Sequence, residues 1–216
     1  METAKIDIKI LLLSLAAVIL AELGAKAFVS WGIASPMVLT GAARLIQIFL
    51  ILMIVVTWGK GAGSLGLSPH TIFPGFKKGL LWSVAFGMIA AAGFGILYLA
   101  GVDPLELIHT RLPEEKSGII LFFLIGGAVA PVAEEVLFRG VIYGFFRRWG
   151  VIIAIILSTA LFVLSHAIFS RIPLTQAVGG IVFALAYEIE GSLMVPITIH
   201  ILGNLAIFIV GSGLIF

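Results

Sequence analysis

The sequence predicts an all-α fold, a polytopic transmembrane bundle of about seven to eight helices, and three observations carry that prediction. Of 216 residues, 61% are hydrophobic and only 11% are charged, where a soluble domain carries roughly 25% charged residues. Mean hydropathy is +1.23. Apolar runs long enough to cross a bilayer recur along the chain without period-2 alternation, which selects helices over a barrel. The length suits a single transmembrane domain over residues 1–216.

The runs cover 8–29, 37–58, 80–101, 118–146, 151–168, 175–187 and 193–216. The first begins near Ile8 and is followed by no small-residue cleavage signature, so it is read as a retained span rather than a signal peptide. Ser35-Pro36 closes the first hairpin, and the stretch from Gly59 to Pro74 separates the second run from the third. Asp103-Pro104, Trp149-Gly150, Pro173 and Gly191 punctuate the rest. The opening 36 residues and the 103–116 loop leave room for an eighth, short or interfacial helix. With seven spans and a cytoplasmic N-terminus, Lys5, Lys9, Lys60, Lys77, Lys78, Arg147 and Arg148 fall on the cytoplasmic side. The acidic segment VDPLELIHTRLPEEK falls outside.

Composition also excludes. A net charge of +2 points to membrane lipid rather than nucleic acid as the surrounding partner. The absence of cysteine removes disulfides, thiolate metal sites and cysteine nucleophiles. Gly61, Gly63 and Gly66 spell G-x-G-x-x-G, but they follow a membrane span rather than a strand, so dinucleotide binding is rejected for a flexible basic loop. Gly140 and Gly144 read as close helix packing.

The charges inside the fourth run need a cause, since a carboxylate in the hydrocarbon core costs about 2.5–3.5 kcal/mol on insertion scales. In PVAEEVLFRG, Glu135 and Arg139 stand four apart on one helix face and can neutralise each other. Glu134 projects about 100° away and needs another partner. Two of the four histidines, His166 and His200, lie within spans, and Asn204 follows His200 by four residues. Counted from Trp149-Gly150, Glu134 and His166 lie at equal heights, roughly 23 Å along antiparallel helices. His200 and Asn204 lie roughly 13 and 20 Å from Gly191, which puts the four side chains in one layer. Glu22, Arg44, Glu188 and Glu190 sit near run ends and are expected at the interface.

That layer has the parts for amide hydrolysis without a covalent intermediate. A carboxylate beside a histidine can hold and deprotonate water, and a second histidine with an asparagine can donate to a developing oxyanion. Glu134, His166 and His200 also form a plausible zinc ligand set, although H-E-x-x-H is absent and each ligand comes from a different helix. A serine nucleophile fits poorly, because neither Ser192 nor Ser212 lies in a G-x-S-x-G setting.

EEVLFR, FVLSH and HILGN match E-E-x-x-x-R, F-x-x-x-H and H-x-x-x-N. In order and spacing they resemble the CPBP family, the CAAX-processing and bacteriocin-processing intramembrane proteases that include type II CAAX prenyl endopeptidases. The resemblance covers 117–210, the expected catalytic core; the N-terminal half matches only as hydrophobic helices. It implies that Glu134 and His166 activate the catalytic water and that His200 and Asn204 form the oxyanion hole. Glu135, Arg139 and Phe162 are implied as supporting residues. The implied reaction is glutamic-type cleavage near the C-terminus of a membrane-attached substrate, prenylated or carrying a sorting helix, in a prokaryotic cytoplasmic membrane. No cofactor is expected, with zinc as the alternative. The rival class is a non-catalytic bacteriocin-immunity or scaffolding protein; a proton-coupled transporter is weaker, because the internal symmetry usual in such folds is missing.

Overall fold

The computed structural model describes residues 6–166 and 173–213. Among them the chain forms seven helices and no strand: α1 (Ile8–Ser30), α2 (Pro36–Trp58), α3 (Pro69–Leu99), α4 (Lys116–Trp149), α5 (Val151–His166), α6 (Leu174–Glu190) and α7 (Met194–Gly211). Five of them, α1 to α4 and α7, are long and apolar enough to cross a membrane. This is a multi-pass helical membrane bundle. The 103–116 loop holds a short 3₁₀ turn, Pro104–Leu107, in place of a full eighth helix.

Local chemistry sets the helix starts. Asp7 accepts from the Ile10 N–H at 2.9 Å to cap α1. Ser35 caps α2 with Pro36 in its first turn. Ser68 and Thr71 form a capping box on α3, again followed by proline. That cap moves the start of the third helix from the expected residue 80 back to Pro69, so α3 runs for 31 residues and carries Pro74 inside it. The expected fifth run ended at 168 and the seventh at 216; residues 167–172 and 214–216 lie outside the described residues, as does Lys5.

Helix α4 is not a uniform α-helix. It opens into π turns over Ile125–Val129 and Val136–Tyr143, on either side of Glu134 and Glu135. The second π stretch is buried throughout. The core around it takes Ile10 from α1, Ile51 and Val55 from α2, Phe162 from α5, Tyr187 from α6 and Ile197 from α7.

The glycine loop has a packing role. Gly66, at φ +72°, lies so close to the α6–α7 turn that a Cβ there would meet the Gly191 carbonyl oxygen at 2.7 Å. The Leu193 N–H reaches the Gly66 carbonyl at 3.4 Å, and Ser192 Oγ donates to the Thr71 carbonyl at 3.0 Å. Leu65 is fully buried against Gly140. The loop therefore covers the start of α7, and Ser192 and Leu193 are buried rather than at a surface. This accounts for His200 reaching the Glu134 layer although it stands only nine residues beyond Gly191. On α3, Gly75 and Gly79 press against Ser192 and Thr198, a G-x-x-x-G crossing that the sequence analysis did not identify.

Glu22 and Arg44 depart from the expected interface. Glu22 stands about 21 Å along α1, and Arg44 about 12 Å along α2 from the opposite end, so both lie well inside the span. Arg44 donates to Glu22 at 2.5 Å and to Gln47 Oε1 at 2.9 Å, and Gln47 donates to Glu22 at 2.8 Å. They form a polar clamp between two otherwise apolar helices. The clamp is affordable there because each charge finds its partner across the helix pair.

Candidate active site in the membrane

Glu134 and Glu135 lie between the two π turns, and the three following helices converge on them. Glu135 is fully buried. Its Oε1 accepts from Arg139 Nη1 at 2.9 Å, the pair expected from the four-residue spacing. The same oxygen lies 2.7 Å from His200 Nδ1, a pairing the sequence analysis missed. Arg139, also fully buried, donates through Nη2 to the Gly180 carbonyl of α6 at 3.1 Å. Its guanidinium lies between two rings, 4.6 Å from the Phe162 centroid and 5.1 Å from that of Phe183. Phe183 stacks on the His200 imidazole at 4.6 Å and 25°. The Glu135 carboxylate and the Phe183 face thus hold the His200 ring directly, and Arg139 in turn contacts both of them.

Each histidine has one ring nitrogen committed and the other aimed at Glu134. His166 Nδ1 lies 2.9 Å from the Phe162 carbonyl oxygen, a hydrogen bond in the Nδ1–H tautomer, and 3.2 Å from Ser165 Oγ. His200 Nδ1 is held by the Glu135 carboxylate in the same way. The two Nε2 atoms each lie 3.7 Å from one oxygen, Glu134 Oε2. That spacing is too long for a direct hydrogen bond, and it leaves the three groups facing one common space. Glu134 and His166 keep some exposure, with side chains 16% and 29% accessible, whereas Glu135 has none.

Asn204 is not hydrogen-bonded to the charged cluster. It stands one turn beyond His200 on α7, and its Nδ2 donates to the Gly126 carbonyl at 3.0 Å. Phe162 touches both histidines, with centroids 4.6 Å from the His166 ring and 5.8 Å from the His200 ring. The structure thus joins Glu134, Glu135, Arg139, Phe162, His166 and His200 in one contact network, with Asn204 at its edge. Gly180 and Phe183 belong to it as well. Neither was singled out from the sequence, which shows there only a glycine pair, Gly179-Gly180, with Phe183 three residues on.

All nine residues fall within 116–206, the stretch that matches the family described as type II CAAX prenyl endopeptidase Rce1-like. That stretch, less than half of the chain, is what is similar to the Rce1-like family. Among curated relatives, it is 30% identical over 138 residues to the membrane-embedded CAAX protease MroQ of Staphylococcus aureus strain USA300, covering 60% of this chain and 53% of that protein. It is 30% identical over 130 residues to a 24.3 kDa protein of Escherichia coli, covering 56% of this chain and 59% of that one. The chain therefore spans little more than half the length of these relatives. No solved structure matches it significantly.

Proposed function

We propose that the chain is an intramembrane endopeptidase of the glutamic type, which cuts near the C-terminus of a membrane-attached protein or peptide, prenylated or carrying a sorting helix. The observation that carries the reading is the convergence of both histidine Nε2 atoms on Glu134 Oε2 at 3.7 Å. A water held beside that pair donates to the Glu134 carboxylate and to the His166 Nε2 lone pair, which leaves an oxygen lone pair for the substrate carbonyl carbon. Glu134 takes the water proton as the C–O bond forms. His200 and Asn204 donate to the oxyanion. Glu135 holds the His200 Nδ1 at 2.7 Å, which turns its Nε2 toward Glu134. Collapse breaks the C–N bond and Glu134 returns its proton to the leaving amine. The reading extends to a bacterial cytoplasmic membrane with the N-terminus inside, and to 117–210 as the catalytic core of one domain over 1–216.

The reading is metal-free. What supports it is Asn204, which is a better oxyanion donor than metal ligand. Zinc is the alternative, and the step above is written without it.

The test is cleavage by the purified chain in proteoliposomes of two fluorogenic probes, a farnesylated CAAX-type peptide and a peptide with a C-terminal hydrophobic helix. Cleavage of either one, unchanged after exhaustive chelation, is the expected result. Folded protein that cuts neither probe overturns the peptidase reading in favour of a non-catalytic role. Stoichiometric zinc, with activity lost on chelation and restored by zinc, overturns the metal-free one.

A further inference from the structure

The anchor of Asn204 has a cause in the sequence. In the first π turn the Ala130 N–H bonds the Ile125 carbonyl, an i→i+5 register. One residue further, that register places the Gly126 carbonyl opposite residue 131, which is proline and has no N–H. The Gly126 carbonyl is therefore left without a helical donor, a state strongly disfavoured in the hydrocarbon region. Asn204 Nδ2 supplies the donor at 3.0 Å.

A carboxamide has two nearly isosteric ends, and a flip about its last bond exchanges an acceptor for a pair of donors. At an oxyanion hole the flip matters, because the wrong end presents oxygen to a developing negative charge. A backbone carbonyl accepts and never donates, so the Gly126 carbonyl bonds only the NH₂ end. One Asn204 proton is held there and the second remains available. Packing fixes the π turn on α7: a Cβ at Gly127 would meet Leu205 Cδ2 at 2.7 Å, and one at Gly126 would meet Phe208 at 3.3 Å.

We propose that Pro131 and the Ile125–Val129 π turn are a positioning device, which leaves the Gly126 carbonyl unclaimed so that it sets the orientation of the Asn204 carboxamide. The inference rests on the reading of Asn204 as an oxyanion donor. Pro131→Ala restores an N–H at 131 that completes the i→i+5 bond and competes with Asn204 for the carbonyl.

The experiment is a double-mutant cycle of Pro131→Ala and Asn204→Ala in proteoliposomes, on whichever of the two probes the parent cleaves, with thermal unfolding measured for each protein. Pro131→Ala is expected to lower kcat about tenfold at unchanged KM, with an unfolding temperature equal to or above the parent's, since a proline has left a helix. Asn204→Ala is expected to lower kcat by about 10²–10³. The double variant should be no slower than Asn204→Ala alone, because the anchor then has nothing to orient. Parental kcat in Pro131→Ala, or losses that multiply in the double variant, would overturn the proposal. Parental kcat in Asn204→Ala would instead overturn the oxyanion reading on which it stands. Should Pro131→Ala fail to fold, Gly127→Ala pushes the π turn off Leu205 and must show the same kcat-only, non-additive loss.

Discussion

Replacing Arg139 by alanine removes three things at once. Glu135 loses the 2.9 Å bond to Nη1 and keeps His200 as its one remaining polar partner among the described residues. The Gly180 carbonyl loses its 3.1 Å donor, and Phe162 and Phe183 lose the cation between them. Both members of the ion pair are fully buried, so water does not replace the arginine. An uncompensated buried charge costs about 3–5 kcal/mol, and a desolvated cation–π contact adds up to about 2 kcal/mol. The loss exceeds half the stability of a marginal fold, so poor yield and an early unfolding transition in detergent are expected. Glu135→Gln combined with Arg139→Met removes both charges at similar volume and should recover most of the loss, because neither charge is then stranded. An Arg139→Ala protein that unfolds with the parent yet has no activity would refute this reasoning and place the arginine in the chemistry.

Glu134→Gln keeps the shape and removes the base, so turnover should fall by at least about 10²-fold with an unchanged unfolding temperature; full activity in that variant would remove Glu134 from its role. Gly79→Ala puts a Cβ 2.6 Å from Thr198 Cβ, two residues before His200. Overpacking of about 1–3 kcal/mol should appear as a lowered unfolding temperature. Glu190, three residues past the apolar run 175–187, is held below the ordinary carboxylate range by the Lys78 ammonium at 2.5 Å and the Trp82 indole N–H at 3.0 Å, with burial opposing them. A depressed folded-state pKa stabilises above the unfolded value and ceases to do so as pH falls through the folded one. The stability gap between parent and Glu190→Gln should therefore be present at pH 7 and shrink below about pH 4.5. With Lys78 half exposed, it should not exceed about 1 kcal/mol.

Much of this site is legible in the sequence, because membrane charges are few and each needs a partner. The Glu135–Arg139 pair follows from spacing, and the shared height of Glu134 and His166 from counting outward from Trp149-Gly150. Gly150 does hold a turn, at φ +115°. What spacing does not give is rotation. Helix α1 is apolar on nearly every side, so nothing in its pattern says that Glu22 turns inward to Arg44 and Gln47. The same holds for Glu135 and His200, 65 residues apart, whose contact depends on how α4 and α7 are rotated. The π turns leave no apolar period of their own.

The two adjacent carboxylates of α4 have unlike surroundings. In a straight α-helix, Glu134 and Glu135 would diverge by about 100° and meet different neighbours by direction alone. Here the difference is one of partners. Glu135 is sealed with Arg139 and His200, and every neighbour it has restrains His200 or the α4–α6 contact. Glu134 is left with two histidine nitrogens at 3.7 Å and some access from outside. A general base must exchange protons with solvent and substrate, and a structural anion must not. On the proposed reading burial separates the two roles along one residue of chain, so Glu135 is not expected to take over when Glu134 is replaced.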